Sequence, residues 1–181
     1  MSVSIVARRY AKALLELGLE NGDLEIVVRD LEALADVWER NAELRNVVEN
    51  PLVALEAKKA TVTEVAAALG AGATARNTAL LLIDRRRARA LPYIASSLRE
   101  LADARKGVVR AQVTTATSLP EPYYAKLQAQ LERLTGMRVI VERQTDASLI
   151  GGVVTRIGDR IFDGSVRSRL QSMREALLPT V

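Results

Sequence analysis

The chain has 181 residues, of which 49% are hydrophobic, and a net charge of +4; this is enough apolar material for a packed core in one domain or two small ones. It contains neither cysteine nor histidine, which excludes disulfides, thiolate nucleophiles, the usual zinc sites and histidine-based triads. Any catalysis would have to rely on carboxylate, Lys or Tyr chemistry. There is no apolar run of about 18 residues and no apolar signal core at the N-terminus, so we expect a cytosolic chain without direct membrane insertion.

The first 105 residues show helical periodicity and almost no strand pattern, which predicts a helical bundle. In segment 23–40 the apolar residues lie on one side and the acidic residues on the other, as in an ordinary core-facing helix. A proline disfavours helix in the residue before it, so Asn50-Pro51 ends the short third helix. The expected helices cover about residues 4–19, 23–40, 43–48, 54–69, 73–84 and 91–105.

Two of these helices are more apolar than a one-sided surface helix requires. Apolar and small residues cover roughly 200 degrees of the helical wheel in segment 4–19, against about 100 degrees for a single buried stripe. Segment 73–84 contains Leu80, Leu81, Leu82 and Ile83 in succession and is apolar all round. Burial within the bundle is the simpler explanation. The alternative is that both helices border a groove that accepts a helix from another protein.

The hydrophobic period changes at Gly107. Val109, Ala111 and Val113 alternate with polar residues, which predicts a half-exposed strand. A helix near 123–134 and a strand near 139–141 follow. With the segments after residue 150, the order is strand, helix, strand, strand, strand, helix. The predicted fold class is α+β: an all-α six-helix bundle over residues 1–106, then a small α+β domain over 107–181 with a four-stranded sheet and two helices.

The stretch from Gly151 to Leu170 has a structural explanation for almost every residue and a chemical one for none. Gly158-Asp159 is a pair typical of tight hairpin turns, and Asp163-Gly164 predicts a second turn. Ser165 stands where a helix N-cap would be. The helix that follows has apolar positions at helical spacing, namely Val166, Leu170, Met173 and Leu177.

Other candidate sites are weaker. Asp146, Asp159 and Asp163 could form a carboxylate cluster for metal or acid–base work, but Asp is also favoured at turns for backbone reasons. Phosphate-binding glycine loops are missing, so we expect no cofactor and no nucleotide site. A small enzyme with an unrecognised carboxylate site is a third hypothesis.

The arginine run over residues 85–89 carries the main alternative function. Four arginines in five positions could contact phosphate, which would make the chain a basic nucleic-acid-binding protein. No aromatic stacking platform or known binding motif accompanies the charge, and basic residues also suit the C-terminal end of a helix. We therefore expect no nucleic-acid partner.

Three motifs carry a resemblance to a known family. ARRYAKALLEL (residues 7–17), NTALLLIDRRRARALP (77–92) and GGVVTRIGDRIFDGSVRSRL (151–170) resemble the delta subunit of bacterial F-type ATP synthase, homologous to the mitochondrial oligomycin-sensitivity-conferring protein. The likeness spans the whole chain. It implies a non-catalytic stator subunit, present once in a hetero-oligomer and peripheral on the cytoplasmic face of the bacterial inner membrane.

The resemblance also implies two partners. The N-terminal bundle would bind the N-terminal helix of an alpha subunit of the catalytic head, and the C-terminal domain would bind the b subunits of the peripheral stalk. Carried over, the head-binding groove lies between the first and fifth helices. Its candidate residues in this chain are Ala7, Tyr10, Ala11, Leu14, Asn77, Leu80, Leu81 and Ile83.

Overall fold

The computed structural model describes residues 3–158 and 160–177, and the chain divides into two compact units, Met1–Ala102 and Asp103–Val181. The helices near the N-terminus are α1 (Val3–Asn21), α2 (Leu24–Arg40), α3 (Ala42–Glu49), α4 (Leu55–Ala68), α5 (Ala73–Asp84) and α6 (Leu91–Arg105), with a 3-10 turn at Ala88–Ala90 before α6. The elements that follow are β1 (Val108–Thr115), α7 (Glu121–Thr135), β2 (Arg138–Thr145), a 3-10 turn at Ala147–Leu149, β3 (Val153–Ile157), β4 (Arg160–Asp163) and α8 (Val166–Leu177). The predicted fold class is confirmed.

The first unit is built around one apolar core to which every helix contributes. Leu31, Ile94 and Leu98 are its largest fully buried aliphatic side chains from α2 and α6. The start of α3 is fixed by Asn41, whose side chain accepts a hydrogen bond of 3.0 Å from the backbone N–H of Leu44. The helical periodicity therefore reflects real burial in this unit.

The prediction that the acidic residues of α2 all lie opposite its apolar face is wrong for one of them. Asp30 is buried, with only 4% of the residue exposed. Its Oδ2 accepts a 2.7 Å hydrogen bond from the backbone N–H of Gly72, the N-cap residue of α5. Its Oδ1 accepts from the guanidinium of Arg29. The carboxylate thus satisfies the backbone N–H of the residue at which α5 begins, and it lies at the positive end of the α5 dipole.

The second unit contains a four-stranded sheet with the order β2-β1-β3-β4. The β1 and β2 strands are parallel and are connected through α7, while β1–β3 and β3–β4 are antiparallel pairs. The core of the unit is small: Ala111, Leu131, Val139 and Ile157 form one cluster, and Val113 and Tyr124 are buried as well.

The β2 strand is longer than the predicted 139–141, because its pairing with β1 continues from Val108↔Arg138 to Thr115↔Thr145. The added residues Glu142, Arg143 and Gln144 are exposed, so no apolar pattern marks them in the sequence. Backbone pairing with β1, not burial, extends this edge strand. Within the described ranges no helix has the length and apolar character that crossing a bilayer demands.

Candidate partner-binding surfaces

The α1 helix carries two apolar stripes, only one of which is buried by the bundle. The buried stripe contains Ala7, Ala11 and Leu14, and Gly18 continues it. The second stripe lies one residue earlier at each turn; Val6 and Tyr10 are half-buried, whereas Ala13 and Leu17 are exposed. The wide apolar arc of this helix therefore corresponds to one face in the core and a neighbouring face open to solvent.

The α5 helix shows the same division. Leu82 and Ile83 are buried in the core, Leu80 is half-buried, and Leu81 is 42% exposed. Asn77, one turn before Leu81, is exposed as well. An all-round apolar helix would be enclosed in a central position, but α5 leaves Leu81 uncovered.

The predicted groove residues consequently fall into two groups. Ala7, Ala11, Leu14 and Ile83 are buried and set how α1 and α5 pack within the bundle. The other four, which are accessible to a partner to different extents, are Tyr10, Asn77, Leu80 and Leu81. Both helices contact the 3-10 turn at Ala88–Ala90, so they lie near one another. We call the accessible residues Tyr10, Ala13, Leu17, Leu80 and Leu81 the α1/α5 stripe.

A second uncovered apolar face lies on α8. Val166, Leu170 and Met173 occupy one stripe at helical spacing, and all three are exposed. Leu177 falls in the same register, and its side chain lies outside the described residues. Ile161 and Phe162 of the edge strand β4 are also exposed. We call Val166, Leu170 and Met173 the α8 stripe.

The stretch from Gly151 to Leu170 brings two distant backbone segments into contact. The backbone N–H of Gly164 donates to the carbonyl of Val153 at 2.9 Å, and that of Val166 donates to the carbonyl of Gly151 at 2.9 Å. Gly152 has φ +82°, and a Cβ at this position would lie 2.3 Å from the carbonyl oxygen of Gly164. Only glycine fits there, so the double glycine serves the crossing of these segments and not a ligand.

The start of α8 is held by a small hydrogen-bond network. The Oγ of Ser165 accepts from the backbone N–H of Ser168 at 3.2 Å. Asp163 accepts from the backbone N–H of Ser165 and from the hydroxyl of Ser168. The Ser168 hydroxyl is the main cause that holds the pKa of Asp163 below its ordinary value, and the Ser165 N–H adds to it. Gly158 has a positive φ of 55°, which suits its turn; Asp159 lies outside the described residues.

Two of the three carboxylates considered for a metal site, Asp146 and Asp163, accept hydrogen bonds from the backbone. Asp146 accepts a 2.9 Å hydrogen bond from the backbone N–H of Ser148. The pKa of Asp146 is lowered first by the side chain of Ser148 and then by this backbone N–H. Asp163 accepts from the backbone N–H of Ser165 and from the hydroxyl of Ser168 at the start of α8. Among the side chains that the structure describes, no three carboxylates are grouped so that they could hold a metal ion.

The arginine run forms an unusual helix end. Arg87 donates its backbone N–H to the carbonyl of Leu82 at 2.7 Å, and Arg86 donates to that of Ile83 at 2.9 Å, which together make a Schellman cap. Arg86 occupies the left-handed position with φ +53°, where glycine is normally favoured. Arg85, Arg86 and Arg87 are exposed.

Arg89 differs from its neighbours because it has a partner. Its Nη2 donates to Oε2 of Glu49 at 2.5 Å. This hydrogen bond is the main reason that the pKa of Glu49 is lowered. Sequence reasoning missed this pair, as it missed Asp30, because the partners are 40 or more residues apart. No local pattern signals such contacts.

Comparison with known proteins defines the class of the chain. Residues 6–177 match the family described as "ATP synthase delta (OSCP) subunit". The ATP synthase subunit delta of Myxococcus xanthus is 44% identical over 174 residues, which cover 95% of this chain and 96% of that protein. The subunit delta of Geotalea uraniireducens is 38% identical over 177 residues, which cover 98% of each chain.

A solved structure shares the fold. A chain of the Toxoplasma gondii mitochondrial ATP synthase hexamer superposes with a TM-score of 0.75, covering 97% of this chain and 98% of its own, at 18% identity. With the sequence matches, these findings make the chain a non-catalytic subunit of an ATP synthase. It belongs to the ATP synthase delta (OSCP) subunit family.

Proposed function

We propose that the chain is the stator subunit that links the catalytic head of an F-type ATP synthase to its peripheral stalk and resists the torque of rotation. The observation that carries the proposal is that each of the two compact units leaves an apolar stripe uncovered. Contiguous exposed apolar residues are typical of protein interaction sites. Family membership supports the same role.

The α1/α5 stripe is our candidate for the head end, with the N-terminal helix of an alpha subunit as its occupant. Tyr10, Leu17 and Leu81 supply apolar anchors of the kind that amphipathic helices use in groove recognition. Ala13 has a small side chain and would allow close approach. Asn77 lies at the edge of this surface and can hydrogen-bond to a partner.

The α8 stripe is our candidate for the stalk end, with a helix of a b subunit as its occupant. Arginines flank the stripe on the same helix, at Arg167, Arg169 and Arg174. A partner helix with an apolar stripe and acidic edges would match both its shape and its charge. Two surfaces on linked units hold their partners at a raised effective concentration, which suits a permanent grip.

The assembly that follows has one copy of this chain per complex, peripheral on the cytoplasmic face of the bacterial inner membrane. In this role the chain needs no cofactor and no nucleic-acid partner. Its contribution is mechanical, because it must hold the head against rotation while both grips stay closed.

The head end is tested by calorimetric titration of the full chain with a synthetic peptide of the alpha-subunit N-terminus. Leu81→Glu places a charge on the exposed stripe, and we expect it to weaken binding about tenfold or more. Leu55→Glu on α4 is the matched control, since Leu55 is 44% exposed against 42% for Leu81. Equal losses in the two variants, or no binding by the unaltered chain, would refute this assignment.

The stalk end is tested by the same method with a soluble segment of the b subunits. We expect Leu170→Glu to weaken binding about tenfold or more, because this residue is 54% exposed at the centre of the α8 stripe. Ile26→Glu in the first unit is the control, with Ile26 at 48% exposure. A b segment that binds the Leu170 variant normally would show that α8 is not the stalk contact.

A further inference from the structure

A cleft in the first unit shares no residue with the α1/α5 stripe or the α8 stripe. Its volume is about 570 Å³, within the range of natural binding pockets. It is formed by the end of α2, by α3, by the 3-10 turn and by the start of α6, and its lining residues are Trp38, Glu39, Arg45, Arg89, Pro92, Tyr93 and Ser96. None of these belongs to α1 or α5.

The cleft combines a fixed apolar floor with an aromatic wall. Trp38 is buried in the core and leaves only 6% of its surface exposed. Tyr93 is 56% exposed, and its hydroxyl has no hydrogen-bond partner within the described part of the chain. An aromatic ring with a free polar tip is a residue type that protein interfaces favour.

Two arginines, Arg45 and Arg89, line the cleft beside this apolar floor, together with Glu39. The Nη1 of Arg45 donates to the carbonyls of Trp38 and Glu39 at the end of α2, which fixes the guanidinium at the cleft. Arg89 is paired with Glu49 through one nitrogen and has further N–H donors. The neighbouring Arg85, Arg86 and Arg87 make no ion pair within the described residues. The run therefore offers three arginines without an ion pair directly before Arg89 in the sequence, and Arg89 is the member of the run that lines the cleft.

The charged residues near the cleft indicate what charge a ligand of the cleft would have. The run attracts anions, yet residues 1–53, which include α2 and α3, have 6 basic against 10 acidic residues. One of these acidic residues, Glu39, lines the cleft, so a polyanion with a charge on every unit would bring like charge against it. A short segment with a few carboxylates around one apolar side chain satisfies both the arginines and the apolar floor.

Backbone strain supports a selected role for the run. Arg86 adopts a left-handed conformation that glycine would adopt without cost, so the helix cap alone does not account for the arginine. We propose that this cleft, which we call the arginine cleft, binds an acidic segment of a protein partner, with an apolar side chain against Trp38 and Tyr93 and carboxylates on the arginines. This inference does not rest on the proposed stator function.

The test uses the full chain and a defined peptide, acetyl-EDEFLEDE-amide, with acetyl-KRKFLKRK-amide as the charge-reversed probe. Trp38 is the only tryptophan, so its fluorescence reports occupation of the cleft directly. We expect saturable binding of the acidic peptide and none of the basic one. Tyr93→Ala should lower the affinity for the acidic peptide about tenfold.

The charge contribution is tested by the combined change Arg85→Glu, Arg86→Gly and Arg87→Glu. We expect it to lower the affinity for the acidic peptide about tenfold. Arg76→Glu, an exposed arginine on α5, is the matched control and should change affinity less than about twofold. Leu81→Glu should leave the affinity for the acidic peptide unchanged, because Leu81 does not line the cleft. This result would separate the cleft from the head-binding surface. Circular dichroism of each variant checks that the fold is kept.

Three results would overturn the proposal. One is a Trp38 fluorescence that does not change with up to about 1 mM acidic peptide. A dissociation constant above about 1 mM would be too weak for a docking site. Another is an equal loss of affinity in the Arg76 control. The third is tighter binding of single-stranded oligo(dT) with the same arginine dependence, since the occupant would then be a nucleic acid.

Discussion

The first unit is stabilised mainly by buried apolar side chains, whereas the second depends more on backbone contacts and on hydrogen bonds at helix ends. Among the described residues, the first unit contains 23 buried apolar residues, and the second contains six. The second unit compensates with the glycine crossing of 151–166 and the network at Asp163. The comparison indicates that its fold is specified by a few irreplaceable backbone positions.

The largest effect should come from the first core. Leu98 is fully buried, and Leu98→Ala should lower the free energy of unfolding of its unit by roughly 3 kcal/mol through lost burial and a cavity. Urea unfolding followed by Trp38 fluorescence measures the loss. The exposed Leu55→Ala should lose less than about 1 kcal/mol. Similar losses in both variants would contradict a stability based on this core.

A single methyl group should have a comparable effect in the second unit. Gly152→Ala adds a Cβ 2.3 Å from a carbonyl oxygen at φ +82°, and we expect a loss of roughly 3 kcal/mol. Gly136→Ala is the matched control, because it has φ +67° and nothing within 4 Å, so it should lose only about 1 kcal/mol. Hydrogen exchange of the sheet amides measures both values. Equal losses would mean that the close crossing is unimportant.

A smaller effect tests whether a polar contact also matters in the apolar unit. Asp30→Ala removes the acceptor of the Gly72 N–H, and we expect a loss of about 2 kcal/mol because a partly buried donor is left unpaired. Asp36 pairs with Arg40 at the surface of the same helix, and Asp36→Ala should stay within about 0.5 kcal/mol. Urea unfolding distinguishes the two. An equal, small loss in both variants would show that the hydrogen bond between Asp30 and Gly72 does not stabilise the unit.

The smallest effect is the pH dependence of Asp163. Since its pKa is lowered in the folded chain, the carboxylate stabilises the fold above about pH 4, and the contribution is lost as the pH falls through the lowered pKa. Carboxyl NMR titration should give a pKa below about 3.9. Ser168→Ala should raise it, because Ser168 is the main cause of the shift. A pKa that does not respond to this change would contradict the network.

Much of the fold follows from hydrophobic period, but the accessible surfaces do not. The helices of the bundle begin and end within a few residues of their predicted bounds, since burial imposes the helical repeat. The same pattern marks Ala11 and Leu81 alike as apolar, although Ala11 is buried and Leu81 is open. Which stripe a helix buries depends on its neighbours in space. Asp30 and the Arg89–Glu49 pair could not be predicted for the same reason.

Native mass spectrometry of the full chain with the alpha-subunit peptide and the b segment together tests directly whether one chain links head and stalk. We predict a complex in which one copy of the chain holds both partners. Leu81→Glu should remove only the alpha peptide, and Leu170→Glu only the b segment. Mutually exclusive binding, or loss of both partners in either variant, would contradict a subunit that links head and stalk through two separate surfaces.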